Sequence, residues 1–336
     1  RFLAFGHPVV NRGDVDYQAT GVFVHRVISN VDMPFKIGVP LGPVGRFVQD
    51  RGAGTSGVIG QAADTVLVKA IVQDKSTGRR ETYQSEVIRE PSLLRAMALA
   101  ALLEAMDQTF DQYAPGSARV TLRLEGDGLP RPLVRRNLYY DGKDVATAAL
   151  SEVGEAIDLL AQNEFQEVRL RAVTMEVSLS PAPLVANVVK ASAGREKVRA
   201  GEEVQVDVEL RPFRAATYKV PFTVKIPASA APGKLILSIR GGYVRNREDQ
   251  EGKQAGFAQL FMTKQPNSLE EQISSFTDRP RNSDLILEYL PLSSKEDDGS
   301  DQEPIVLIQG CDYVVMGETQ LILEVEGEAD AQTKAG

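Results

Sequence analysis

Tryptophan is absent from the 336 residues, cysteine occurs once and histidine twice. The lone Cys311 excludes an internal disulfide, so stability has to come from packing. With only His7 and His25, a multi-histidine metal site is excluded and imidazole acid–base chemistry is confined to two positions. No metal and no cofactor is expected. Aromatic residues make up only 6% of the chain, which leaves a sugar-stacking surface little to build on. No apolar run approaches the roughly 18 residues of a membrane-crossing helix, and no span is predicted. Positive charge is in deficit as well, with 38 Lys and Arg against 46 Asp and Glu and a net charge of -8. Nucleic acid, which needs a concentrated positive field, is therefore not an expected partner.

What is present is the 43% apolar, 25% charged composition of a soluble globular protein. Its length exceeds what one core usually serves, so two or three domains are expected. Scarce cysteine favours an exported bacterial protein of the cell envelope or the extracellular space. The opening RFLAFGHP reads as the second half of a strand in progress, so a signal peptide is expected upstream of Arg1.

The pattern predicts a mainly β chain with an α+β middle. In residues 1–90, FLAFG, ATGVFVHRVI, FKIGV, VGRFVQD, SGVIG and DTVLVKAIV have strand length and glycine breaks at hairpin spacing. A small antiparallel barrel or half-barrel is the expected form. A further hairpin turns at Ser76-Thr77-Gly78. In residues 91–180, Pro91-Ser92 opens a buried helix through SLLRAMALAALLEAMDQTF, and DVATAALSEVGEAIDLLAQNEF reads as a second, amphipathic one. RVTLRLEG and VRLRAVTMEVSLSP are strands, and the basic segment after the first is expected to be irregular. In residues 181–336, the alternation of VQVDVEL and FTVKI, followed by LILSI, SDLILEYL, PIVLIQG and TQLILEVEG, predicts an immunoglobulin-like β-sandwich. Ser268 with Glu271 predicts a capped helix near 267–277. SSKEDDGSDQE is expected to be a charged loop and ADAQTKAG a frayed tail.

His7, between a glycine and a proline, sits where a strand ends in a fixed turn, a position that suits a functional imidazole or one that only bonds the backbone. His25, alternating with Val22, Val24 and Val27, reads as a half-buried strand residue. Asp14 and Asp16 follow His7 closely enough to orient it, although an exposed turn explains them too. DRGAGTSGVIG lacks the Gly-Lys-Ser/Thr ending of a phosphate loop, and Ser56 within it lacks a Gly-x-Ser-x-Gly setting. Arg12, Arg26, Arg46 and Arg51, with Arg131, Arg135 and Arg136, are expected on solvated surface.

Phe5-Gly6-His7-Pro8-Val9-Val10-Asn11-Arg12-Gly13 resembles the Gly-His motif of the SpoIVB-type serine peptidases, in particular their long bacterial members. The likeness continues through Val24-His25-Arg26-Val27, Pro34-Phe35-Lys36, Val44-Gly45, Gln49-Asp50-Arg51 and Gly54, Gly57 and Gly60, and in weaker form to Arg279-Pro280-Arg281-Asn282. The resemblance implies a chymotrypsin-like double barrel in which His7 is the general base. That family's Gly-Met-Ser-Gly-Ser-Pro nucleophile motif does not occur in the chain, and the likeness places it upstream of the Gly-His motif. Two functions follow. One is an exported endopeptidase acting on protein or peptide substrates, with its serine on an upstream fragment of the same gene product. The other is a non-catalytic envelope or assembly protein that binds a protein partner or copies of itself through edge strands.

Overall fold

In the computed structural model, residues 1–5, 7–31, 34–110, 114–242, 265–290 and 304–327 are described. The charged segment 293–303 and the tail 329–336 lie outside these residues. Strand accounts for 55% of the described residues and helix for 16%, so the chain is mainly β, as its alternation implied.

The first sheet is an open half-barrel of β1 (Phe2–Ala4), β2 (Gly13–Ile28), β3 (Phe35–Arg51) and β4 (Gly54–Ile59), in the order β1-β4-β3-β2. FKIGV and VGRFVQD, separate runs in the sequence, fuse into the single strand β3. The glycines bend this strand instead of breaking it. Gly42 has φ +109, and a Cβ on Gly38 would lie 2.7 Å from the Phe23 carbonyl oxygen. Four register shifts between β2 and β3 mark the bulges that curve the pair.

The second sheet takes β5 (Thr65–Asp74) and β6 (Arg80–Ile88) together with β7 (Gly116–Asp127), β8 (Leu133–Asp141) and β9 (Arg169–Ser180), in the order β6-β5-β9-β7-β8. Strands 65–88, grouped by sequence with the first region, thus hydrogen-bond into the sheet of the helical region. The turn between β5 and β6 closes on Asp74, whose buried carboxylate accepts from Ser76 N–H and from the Ser76 and Thr77 hydroxyls. Helix α1 (Pro91–Phe110) buries Leu94, Ala98, Leu102 and Met106 against this sheet. The second helical stretch is two helices, α2 (Val145–Ala149) and α3 (Ser151–Ala161). The break falls at the buried Leu150, which ends the first and starts the second.

Strand β8 corrects the expectation of an irregular segment. Its inward positions include Arg135 and Asn137, so the apolar alternation that signals a strand is interrupted by polar residues that are nevertheless buried.

Two more sheets face each other across one core. One runs β13-β12-β10-β17, from β13 (Tyr218–Lys225), β12 (Glu203–Pro212), β10 (Val185–Ala193) and β17 (Val314–Met316). The other runs β11-β18-β14-β15-β16, from β11 (Lys197–Arg199), β18 (Glu318–Glu326), β14 (Gly233–Gly241), β15 (Asp284–Tyr289) and β16 (Ile305–Gly310). Val206, Val208 and Leu210 from the first meet Leu237, Ile239, Leu285 and Leu323 from the second. Helix α4 (Leu269–Thr277) starts at Ser268, whose Oγ accepts the Glu271 N–H at 3.1 Å. Although it lies between β14 and β15 in the chain, its Leu269, Ile273 and Phe276 enter the core of the second sheet. Among the described residues, no helix is long and apolar enough to cross a membrane.

Candidate functional site

His7 lies on the loop between β1 and β2 and is exposed. Among the described residues, its imidazole has no side-chain hydrogen bond or ion pair. Asp14 and Asp16 stand on β2 and are committed elsewhere. Asp14 accepts from Gln49 at 2.5 Å and pairs with Arg51 at 3.2 Å. Asp16 pairs with Arg46 at 3.1 Å and accepts the Asp64 N–H. Neither holds His7, because their strand ladders them against Arg-bearing β3.

What holds the loop is Asp50 of β3, 1% exposed. Its Oδ1 accepts the Val9 N–H at 2.8 Å, and its Oδ2 accepts those of Val10 and Asn11, each at 2.9 Å. Burial pushes this carboxyl up, but the N–H groups of Val10, Val9 and Asn11 outweigh it and hold the group below the usual carboxylate value. Asn11 closes the loop at φ +55, in the left-handed region that asparagine tolerates. In the sequence Asp50 stands within Gln49-Asp50-Arg51. Flanked by these polar residues at the polar end of β3, it carries no distinguishing signal, and nothing in that spacing says the side chain turns inward.

Beyond the loop, a cleft of about 400 Å³ opens between the first and second sheets, lined by Arg12, Asp14, Asp16, Tyr17, Asp64, Arg89 and Glu90. Glu90 is buried and accepts from the Tyr17 hydroxyl at 3.0 Å and from Ser92 Oγ at 3.0 Å, with Arg12 at 3.5 Å. Burial, then the bond to Glu90, pushes the Tyr17 phenol up to about 12. Arg89 and Arg169 both pair with Asp64, at 2.8 and 2.9 Å. Every acid in the cleft is thus already matched by a cation or a donor, which makes the cleft a joint between sheets.

The remaining sequence candidates separate. His25 is exposed on β2, not half-buried, with its ring edge-on to Phe23 at 4.9 Å. Ser56 is half-buried on β4, opposite Leu3 and Gln49, with no bond to an imidazole among the described residues. Arg135 is a correction to the expected solvated surface, since its side chain is 3% exposed. Arg131 reaches Ser274 Oγ at 3.2 Å. Cys311 is half-buried, and burial pushes its thiol up.

The outer half of β2 and β3 forms a two-stranded ribbon with apolar side chains exposed along its length. These are Val22, Phe23, Val24 and Val27 on β2, and Phe35, Ile37, Val39, Leu41 and Val44 on β3, between 44% and 70% exposed. On β1 and in the loop, Leu3, Phe5 and Val9 are exposed too, as is Ile59 at the far end of β4. No family model matches the chain, and no curated protein and no solved structure matches it either.

Proposed function

We propose that the chain is the base-bearing part of an exported SpoIVB-like serine endopeptidase, in which His7 takes the proton of a serine carried on another segment. The first sheet would be one half of a chymotrypsin-like barrel, and the two facing sheets an immunoglobulin-like sandwich appended to it. The observation that carries this reading is an imidazole with no side-chain partner among the described residues, on a loop of defined backbone at the end of a sheet where Leu3, Phe5 and Val9 are uncovered. A serine-bearing segment packed on that sheet would bury those side chains and bring its hydroxyl to His7. The imidazole would accept the serine proton during attack on the substrate carbonyl and return it to the leaving amine.

The test is fluorophosphonate labelling of the natural protein before denaturation, followed by intact-mass analysis and N-terminal sequencing of each species. A labelled serine on a species that co-purifies with this chain, and loss of that label in His7→Ala, is the expected result. Absence of label on any co-purifying species overturns the reading.

A second reading is favoured by the ribbon. Its nine apolar side chains, each at least 44% exposed and divided by strand alternation between the two faces of the ribbon, leave apolar surface uncovered on both sides. A non-catalytic assembly protein would cover this surface with a second copy of itself. Sedimentation of the chain across a concentration series distinguishes the two, since a monomer at all concentrations leaves no self-association to explain.

A further inference from the structure

The exposure of His7 does not explain why the loop carrying it closes over a buried carboxylate. We infer that Asp50 is a positioning residue for His7, clamping residues 8–12 in the one backbone path that presents the imidazole at the edge of the first sheet. This rests on the reading of His7 as the base.

The geometry is specific to an anion. Three successive N–H groups, from Val9, Val10 and Asn11, converge on the two carboxylate oxygens at 2.8 to 2.9 Å. Among the described residues, Asp50 is in no ion pair, so these main-chain donors carry its charge. A buried charge without a cation is an expensive way to close a loop, and a neutral Asn or Ser serves an ordinary turn. The same bonds that hold the loop also hold Asp50 in its charged form. Tyr17 lies close enough to feel Asp50, Arg12 acts on it through its backbone N–H while its guanidinium is engaged by Glu90, and the Arg51 guanidinium packs by Gly13.

The clamp reaches His7 through a stiff link. Pro8 has its φ fixed by the ring and restricts the backbone of His7 before it. Anchoring the Val9 N–H to Asp50 therefore anchors the Cα of His7 two residues away. On the other side of the loop, Gly13 pairs with Asp50 in the β2–β3 ladder, so both ends of residues 9–13 are tied to one residue.

The experiment follows the two histidine rings by NMR, assigned with His25→Gln, together with hydrogen exchange at Val9, Val10 and Asn11. In the unmodified chain those three amides are expected to exchange at least 100-fold more slowly than in an open loop. In Asp50→Asn, whose amide sets an N–H against the same donors, that protection falls at least tenfold and the His7 ring signal moves to its value in an unstructured peptide. The His25 ring does not move. Asp50→Glu, which keeps the charge, recovers part of the protection. Unprotected amides in the unmodified chain overturn the clamp whether or not either variant folds, and so does an unchanged His7 ring in a folded Asp50→Asn. Fluorophosphonate labelling separates this from the function itself. Loss of the clamp signals in a protein that never labels leaves the clamp standing without the peptidase. Undiminished labelling of Asp50→Asn removes the positioning role while leaving His7 as the base.

Discussion

Arg135 and Glu152 meet in a two-pronged ion pair, with the guanidinium Nε and Nη2 at 3.1 and 3.0 Å from the two carboxylate oxygens. The Arg135 side chain is 3% exposed, and its remaining donors reach the carbonyls of Thr277, Arg279 and Pro280. Asn137 donates to Glu152 as well, while its Oδ1 accepts the Asn282 N–H at 2.8 Å. A strand of the second sheet thereby grips the segment that leads from α4 into the facing sheets. Glu152 and burial together raise the neighbouring Tyr139 phenol, burial being the larger effect.

Removing one partner of this pair should leave a buried charge unmatched, at a cost of about 3–5 kcal/mol. Arg135→Ala is expected to lower the unfolding free energy from urea titration by that amount and to detach α4, read as faster amide exchange at Ile273 and Phe276. Replacing the exposed Arg136 on the same strand should change stability by less than about 0.5 kcal/mol. Equal losses in the two variants would show that the buried pair has no special part.

Gly57→Ala should damage the first sheet. A Cβ there would stand 2.3 Å from the Arg46 carbonyl oxygen and 2.4 Å from the Phe2 ring, which meets Phe47 edge-on at 5.0 Å. The expected loss is about 1–3 kcal/mol, confined to amides of β1, β3 and β4. Gly194→Ala, which meets nothing within 4 Å, is the control and should be close to neutral.

Acid should destabilise the fold through three carboxylates. Asp50 and Asp74 are lowered by their hydrogen bonds in spite of burial, and Asp64 is lowered chiefly by Arg89, each from an ordinary 3.8. Because the folded groups bind protons more weakly than the unfolded ones, their stabilisation is complete above the unfolded value. It is lost as pH falls through the lowered folded values. Urea midpoints taken between about pH 6 and pH 3 should fall, and fall less steeply in Asp74→Asn. Alkali acts in the opposite sense on Tyr17, whose contribution is whole below 10 and is lost as pH rises towards 12. A tyrosinate absorbance titration should show one late-ionising group fewer in Tyr17→Phe.

The apolar ribbon should respond without a change in stability. Phe23→Ser with Phe35→Ser removes two side chains that are 57% and 53% exposed. Binding of a hydrophobic dye should drop while the thermal midpoint holds within about 2 °C, as expected for surface substitutions. A fall of more than that would mean the ribbon packs on the body of the chain.

Sequence periodicity alone sufficed wherever side-chain character follows burial. The strict alternation of Val204, Val206, Val208 and Leu210 specified β12, the unbroken Ala and Leu run specified α1, and Ser268 with Glu271 specified the start of α4. The paucity of histidine also confines imidazole chemistry to His7 and His25.

Tertiary structure alone decided the points where a polar group is buried or where a segment leaves its neighbours in the chain. Strand β8 carries Arg135 and Asn137 inward because Glu152 and the carbonyls near residue 280 satisfy them, and those partners are remote in sequence. Helix α4 joins the core of the second sheet because its apolar face fits there, although its chain neighbours build the facing sheets. The role of Asp50 belongs to the same class. A carboxylate 39 to 41 residues from the amides it holds has no local pattern to betray it, since the bond depends on a contact that exists only once β3 and the His7 loop have met.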